Sequence, residues 1–178
     1  MKNTFHALDP RVCQSGQMGA SMKKIIIGSD KSGFMLKEAI KNHLQEAGYQ
    51  IEDCGTLDVN EPKPYFEVAP VAAQKIQAKE VERGILICGT GMGMAIVANK
   101  YKGVYAAVCE NLYSAEKCRS INDANILTMG GWMIGDTLGC EMTDKFLDTD
   151  FTQNLEPWRQ EFLKNARTQL IQLEEEIY

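Results

Sequence analysis

Gly84-Ile85-Leu86-Ile87-Cys88-Gly89-Thr90-Gly91-Met92-Gly93-Met94-Ala95 decides the fold. Ile85 to Cys88 is a short apolar run, fit for a strand buried on both faces. Glycines follow at 89, 91 and 93, and a helix-forming stretch begins at Met92. A loop this rich in glycine lets backbone N–H groups approach a ligand closely. The helix start behind it adds positive partial charge. Both features suit an anion such as a phosphate or an enediolate. Cys88 stands at the carboxyl end of the strand, where open α/β sheets hold their ligands. A thiol in that setting is placed to act as a base or nucleophile.

The same strand–loop–helix rhythm extends in both directions. Upstream, Ile25 to Ile27 reads as a strand, Phe34 to Ala47 as an amphipathic helix stopped by Gly48, and Tyr49 to Cys54 as a second strand. Thr56 to Pro64 is a polar loop with two prolines, and Val68 to Ala78 a helix. Downstream, the helix from Met92 runs to Lys100 and Val104 to Cys109 is the fourth strand. Tyr113 to Ser120 is a helix, Ala124 to Met129 the fifth strand, and Ile134 to Leu147 a helix. A long charged helix runs from Trp158 to the end of the sequence. Strict alternation with apolar strands predicts a three-layer α/β/α sandwich, Rossmann-like, with a five-stranded parallel sheet and a C-terminal helix. Residues 22–178 read as one domain. Residues 1–21 lack apolar periodicity and read as a disordered leader, an expression-derived remnant or the product of an early start codon.

Composition narrows the function classes. The net charge is -5 and the pI about 5.1, which argues against nucleic acid as the main partner. No apolar run approaches the ~20 residues that span a bilayer. Of the six cysteines, Cys54, Cys88 and Cys109 fall in or at the end of strand-like runs. There is no CxxC pair, and His6 and His43 are the only imidazoles. This pattern reads as reduced thiols in a cytoplasmic protein with no zinc site.

Three further segments carry polar chemistry. Gly28-Ser29-Asp30-Lys31-Ser32-Gly33 follows the first strand. Asp30 there either orients a substrate hydroxyl or caps the next helix, and Lys31 either attracts an anion or is solvated. The loop does not fit G-x-G-x-x-G, and no Walker lysine follows the later glycines. Asn122 and Asn125, in Ser120 to Asn125, either bond a sugar or hold a turn, and turn chemistry is the simpler reading. Arg159, beside Trp158, is either a surface residue or an anion clamp. Met92 and Met94 read as packing side chains, and Glu174 to Glu176 as a solvated helix end.

In this order, the pieces resemble the type-B ribose-5-phosphate isomerase and galactose-6-phosphate isomerase family of aldose–ketose isomerases. The resemblance covers Met22 to about Phe162. It rests on G-S-D-K-S-G-F at 28–34, D-C-G-T at 53–56, G-I-L-I-C-G-T-G-M-G at 84–93, A-N-K at 98–100, Y-S-A at 113–115 and N-D-A-N at 122–125. It implies a homodimer or homotetramer with active sites at the subunit interface. It also implies roles. Cys88 would move the proton between C1 and C2, and the amides of Gly89, Gly91, Met92 and Gly93 would hold the enediolate oxygen. Asp30 and Thr90 would bind hydroxyls, Lys31 would supply positive charge, Asn122 would contact the sugar, and Arg159 would bind phosphate across the dimer.

The departures from the family pattern bear on the substrate. Lys31 stands where the family usually has histidine. Ile121 stands where the family has its ring-opening histidine, and Leu155 near the first of two phosphate arginines. Lys63 to Phe66 replaces an aspartate-tyrosine-proline segment. The implied activity is isomerisation of a small sugar phosphate through a cis-enediol. An open-chain tetrose or tetrulose phosphate would need no ring opener. The alternatives are the cysteine-bearing subunit of a hetero-oligomer, a ribose-5-phosphate isomerase, and a non-catalytic sugar-phosphate-binding protein.

Overall fold

The computed structural model describes residues 24–178, so the reading of the leader falls outside the described residues. Eleven elements follow in chain order: β1 (Lys24–Ser29), α1 (Phe34–Glu46), β2 (Gln50–Asp53), α2 (Tyr65–Gln77), β3 (Arg83–Cys88), α3 (Met92–Ala98), β4 (Ala106–Val108), α4 (Leu112–Ser120), β5 (Ile126–Gly130), α5 (Asp136–Asp148) and α6 (Pro157–Ile177). The five strands form one sheet in the order β2-β1-β3-β5-β4. Every pairing is parallel. The expected sandwich is therefore present.

Side chains alternate between the faces with the two-residue period of a strand. Ile25, Ile27, Ile85, Ile87, Leu127 and Met129 point into one core with Leu36, Ile40 and Leu44 of α1 and Met142 and Phe146 of α5. Ile26, Leu86, Cys88 and Ile126 point into the other, against Val68, Ala69 and Ala72 of α2 and Met94 of α3. Both faces are covered, which explains why the strands read as unbroken apolar runs.

Some bounds differ from the sequence reading, for local reasons. β4 is three residues long because Asn125 takes over its start: the Asn125 side chain accepts from the Tyr105 amide at 2.8 Å and donates to Gly103 O at 2.8 Å. Asn125 thus does turn work. Helix α2 begins at Tyr65, a turn before Val68, with Pro64 O accepting from the Glu67 and Val68 amides. Pro70 therefore lies inside the helix, where it cannot donate to the Phe66 carbonyl. Ile134 belongs to a turn before α5, its amide bonded to Gly130 O.

One buried side chain was not expected, a lysine. Lys37 of α1 is wholly buried, and its ammonium reaches Asp53 Oδ2 at 2.7 Å, Thr56 O at 2.5 Å and Glu38 Oε1 at 2.9 Å. It ties the β2 end, and the D-C-G-T loop after it, to α1.

Candidate active site

Strands β1, β3 and β5 lie side by side, with Ser29 opposite Ile87 and Cys88 opposite Gly130. Their carboxyl ends therefore open three adjacent loops around Cys88. The loops are stitched together through the backbone. Asp30 N donates to Ile87 O at 3.2 Å, and Gly131 N donates to Cys88 O at 2.8 Å. A Cβ on Gly131 would stand 2.6 Å from Ser32 O, so only glycine lets the loops after β1 and β5 touch.

Cys88 is 5% exposed and faces the core shared with α2 and α3. The Gly91 amide donates to its Sγ at 3.1 Å. That bond requires the chain to double back, and Gly91 does so with φ +78, a left-handed conformation that disfavours any side chain. The sulfur is thus held by a backbone donor in a glycine-lined loop. Thr90, half-buried, accepts weakly from the Met92 amide at 3.4 Å. Two aromatic rings flank the loop: Trp132 lies against Gly89 and Tyr65 against Gly93.

Asp30 makes the capping contacts considered for it. Its Oδ1 accepts from the Ser32 amide at 2.9 Å and the Gly33 amide at 3.1 Å, as a capping carboxylate does. Burial raises its pKa above the ordinary carboxylate value, and those two amides pull the other way. Lys31 is exposed and makes no ion pair among the described residues.

Asp30, Lys31, Cys88, Gly89, Thr90, Gly91, Met92 and Gly93 are thus brought together at the carboxyl end of the sheet. Asn122 and Arg159 are not. Asn122 is exposed and precedes β5, at the amino end of the strands. Five residues of β5 separate that end from Gly130, roughly 15 Å at the usual rise. Helix α6 is anchored to the same amino end, where Arg167 meets Asp123 at 3.1 Å and Arg119 meets Asp123 at 2.9 Å. Arg159 sits exposed in the first turn of α6. Ile121, the residue after α4, is also at this end.

His43 is the one imidazole among the described residues, and it pairs with Asp144 at 2.8 Å between α1 and α5. It is engaged away from Cys88. Cys54, Cys109 and Cys118 are buried free thiols, and Cys140 is partly exposed. Burial pushes the Cys54 thiol up to about 12.

Open clefts of about 530, 460 and 400 Å³ lie elsewhere, none lined by Cys88 or Asp30. The largest of these three carries Glu116, Glu141, Asp144 and Asp148, a lining that repels an anionic sugar. The glycine loop, with its thiol and hydroxyl and the Asp30 carboxylate on the neighbouring loop, is the better candidate.

A thiol held in a glycine loop at the carboxyl end of a parallel sheet fits the aldose–ketose isomerase class that the sequence resembled. The chain belongs to the ribose/galactose isomerase family, whose model matches residues 25–161. A Clostridium sp. protein named 4-deoxy-4-sulfo-D-erythrose isomerase is 68% identical over 155 residues, covering 87% of this chain and 98% of that relative. A Pectobacterium atrosepticum D-erythrulose-4-phosphate isomerase is 39% identical over 130 residues, covering 73% and 86%. The solved ribose-5-phosphate isomerase B of Clostridium thermocellum superposes with a TM-score of 0.78 at 36% identity, covering 87% of this chain and 99% of that one. The expected family and enzyme class are thereby established.

Sequence reasoning missed two residues that frame the site, Lys37 and Trp132. Lys37 had a detectable signal, since it lies three residues before Ile40 and seven before Leu44 on the apolar stripe of α1.

Proposed function

We propose that this enzyme interconverts an open-chain four-carbon aldose and its ketose, and that the substrate's terminal anion is a sulfonate on C4. The carrying observation is the Cys88 Sγ held by the Gly91 amide at 3.1 Å in a site with no imidazole among the described residues. In the aldose-to-ketose direction, the Cys88 thiolate takes the proton from C2. The electron pair forms the C1–C2 double bond of the enediol, and the carbonyl oxygen O1 gains negative charge beside the Gly89 to Gly93 amides. Asp30 and Thr90 hold the two hydroxyls while a proton passes between O2 and O1. The Cys88 thiol then returns its proton to C1.

The chain length follows from what the site lacks. Opening a furanose requires a proton donor and acceptor at the ring oxygen, and Ile121 and the distant His43 supply neither. A tetrose with sulfonate at C4 has no O4 hydroxyl to close a ring, so it needs no opening. The sulfonate is favoured by the 68% identical relative, whose name specifies it. A tetrulose 4-phosphate is the second reading, supported by the erythrulose-4-phosphate isomerase at 39% identity.

A second copy of the chain completes the site in this reading. Asn122 and Arg159 cannot reach Cys88 within one chain, and the partner's amino-end surface would supply them. In support, Met92 is 51%, Phe66 56% and Trp158 69% exposed, apolar area that a dimer would cover. A cytoplasmic location accords with the free cysteines. Among the described residues no helix is long and apolar enough to cross a membrane.

The test is a substrate screen with the purified enzyme: 4-deoxy-4-sulfoerythrose, erythrulose 4-phosphate and ribose 5-phosphate. The sulfonate should show the highest kcat/KM. Ribose 5-phosphate turned over at least as well as either four-carbon compound would overturn the reading. A preference for erythrulose 4-phosphate would keep the chain length and replace the sulfonate.

A further inference from the structure

We infer that Trp132 is a specificity-determining residue, its indole forming the wall beside the Cys88 loop that limits the length of the substrate's carbon chain. The turn after β5 is pinned to the catalytic loop at two successive residues. Gly131 N donates to Cys88 O at 2.8 Å, and Trp132 N donates to Gly89 O at 3.1 Å. The ring therefore rides with the peptide that presents the thiol. A Cβ added to Gly89 would stand 2.9 Å from three indole carbons, so the ring lies directly on the Gly89 backbone.

Despite this contact, Trp132 is 73% exposed. A tryptophan recruited to fill the core would be largely buried, since its value lies in the area it removes from water. Here one face rests on the loop and the rest of the ring is open. Tyr65 occupies the opposite flank, 3.0 Å from the position a Cβ on Gly93 would take. The loop from Gly89 to Gly93 thus has a ring against its first glycine and another against its last. The face of an indole offers contact to the C–H groups of a short chain and no hydrogen bond to the further hydroxyl of a longer one, the ring's single donor lying at its edge. Excluding or admitting one carbon in such a pocket is worth about 10–200-fold in kcat/KM.

The inference rests on the four-carbon reading above, and its test separates the two. The wild-type preference between 4-deoxy-4-sulfoerythrose and ribose 5-phosphate tests that reading alone. Given a four-carbon preference, Trp132→Ala should move the kcat/KM ratio about tenfold or more toward the five-carbon substrate, and Trp132→Phe should move it less. An unchanged ratio in Trp132→Ala, including an equal fall on both substrates, would overturn the role of Trp132 and leave the four-carbon reading standing. A second measurement does not depend on either variant folding. The chain has two tryptophans, so Trp158→Phe leaves Trp132 as the sole indole fluorophore. Its emission should change on titration with the four-carbon sulfonate and saturate near KM. Emission unmoved at saturating substrate would overturn the inference.

Discussion

The ammonium of Lys37, a side chain with no exposed surface, lies 2.7 Å from Oδ2 of Asp53. Lys41 shares the same oxygen at 3.1 Å, and its side chain is 20% exposed. The buried cation therefore anchors the loop after β2, and with it the floor beside Asp30. Lys37→Ala leaves a carboxylate and the Thr56 carbonyl without their buried donor and should cost about 3 kcal/mol or more. Lys41→Ala should cost under about 1 kcal/mol, because water replaces it. Denaturant unfolding measures both, and equal small losses would contradict the anchoring role.

A shared site makes the two ends of the sheet complementary between copies. Arg159→Ala should raise KM more than it lowers kcat, if anion binding is uniform along the reaction. Mixing Cys88→Ala with Arg159→Ala subunits should rebuild intact sites in the hybrids, about a quarter of all sites after random exchange. Assayed well below the wild-type KM, where the Arg159→Ala parent is weak, activity of the mixture no greater than the mean of the two parents would contradict sharing, as would a monomer in sedimentation.

Alkaline stability should depend on Cys54. Its folded thiol is pushed up to about 12 by burial, while an unfolded thiol ionises near about 8.5. The raised folded value means that the group's contribution is complete below the unfolded pKa. It is lost as pH rises toward the folded value, because only the unfolded chain can then release the proton. Unfolding free energy should fall between about pH 9 and 12, and Cys54→Ala should flatten that fall while leaving turnover at neutral pH unchanged. An identical slope in wild type and variant would contradict this.

The sheet and the catalytic loop were legible because both are written locally. Apolar runs such as Ile25 to Ile27 and Ile85 to Cys88 alternate with helix patterns, and C-G-T-G-M-G follows a strand end. Less legible was anything that depends on where the topology sends a side chain. Asn122 and Cys88 lie close in motif order but at opposite ends of parallel strands. Asn125 proved to clamp the start of β4, which shortened a strand that looked apolar enough to run from Val104 to Cys109. Asp30 was readable as a cap or a ligand, and its Oδ1 makes the capping bonds. Lys37 was missed because its partners, Asp53 and Thr56, come from a different strand and loop. Trp132 carried no local signal, since its significance comes from the Gly131–Cys88 and Trp132–Gly89 bonds that lay it over the loop.

The account stands on Cys88 as the group that moves the proton. The most direct measurement is isomerase turnover of Cys88→Ala on the best four-carbon substrate, with folding followed by thermal unfolding and binding by fluorescence titration. The account predicts turnover lost by about 10²-fold or more, with a cooperative unfolding transition and substrate binding retained. Near-normal turnover by a folded Cys88→Ala enzyme would contradict it.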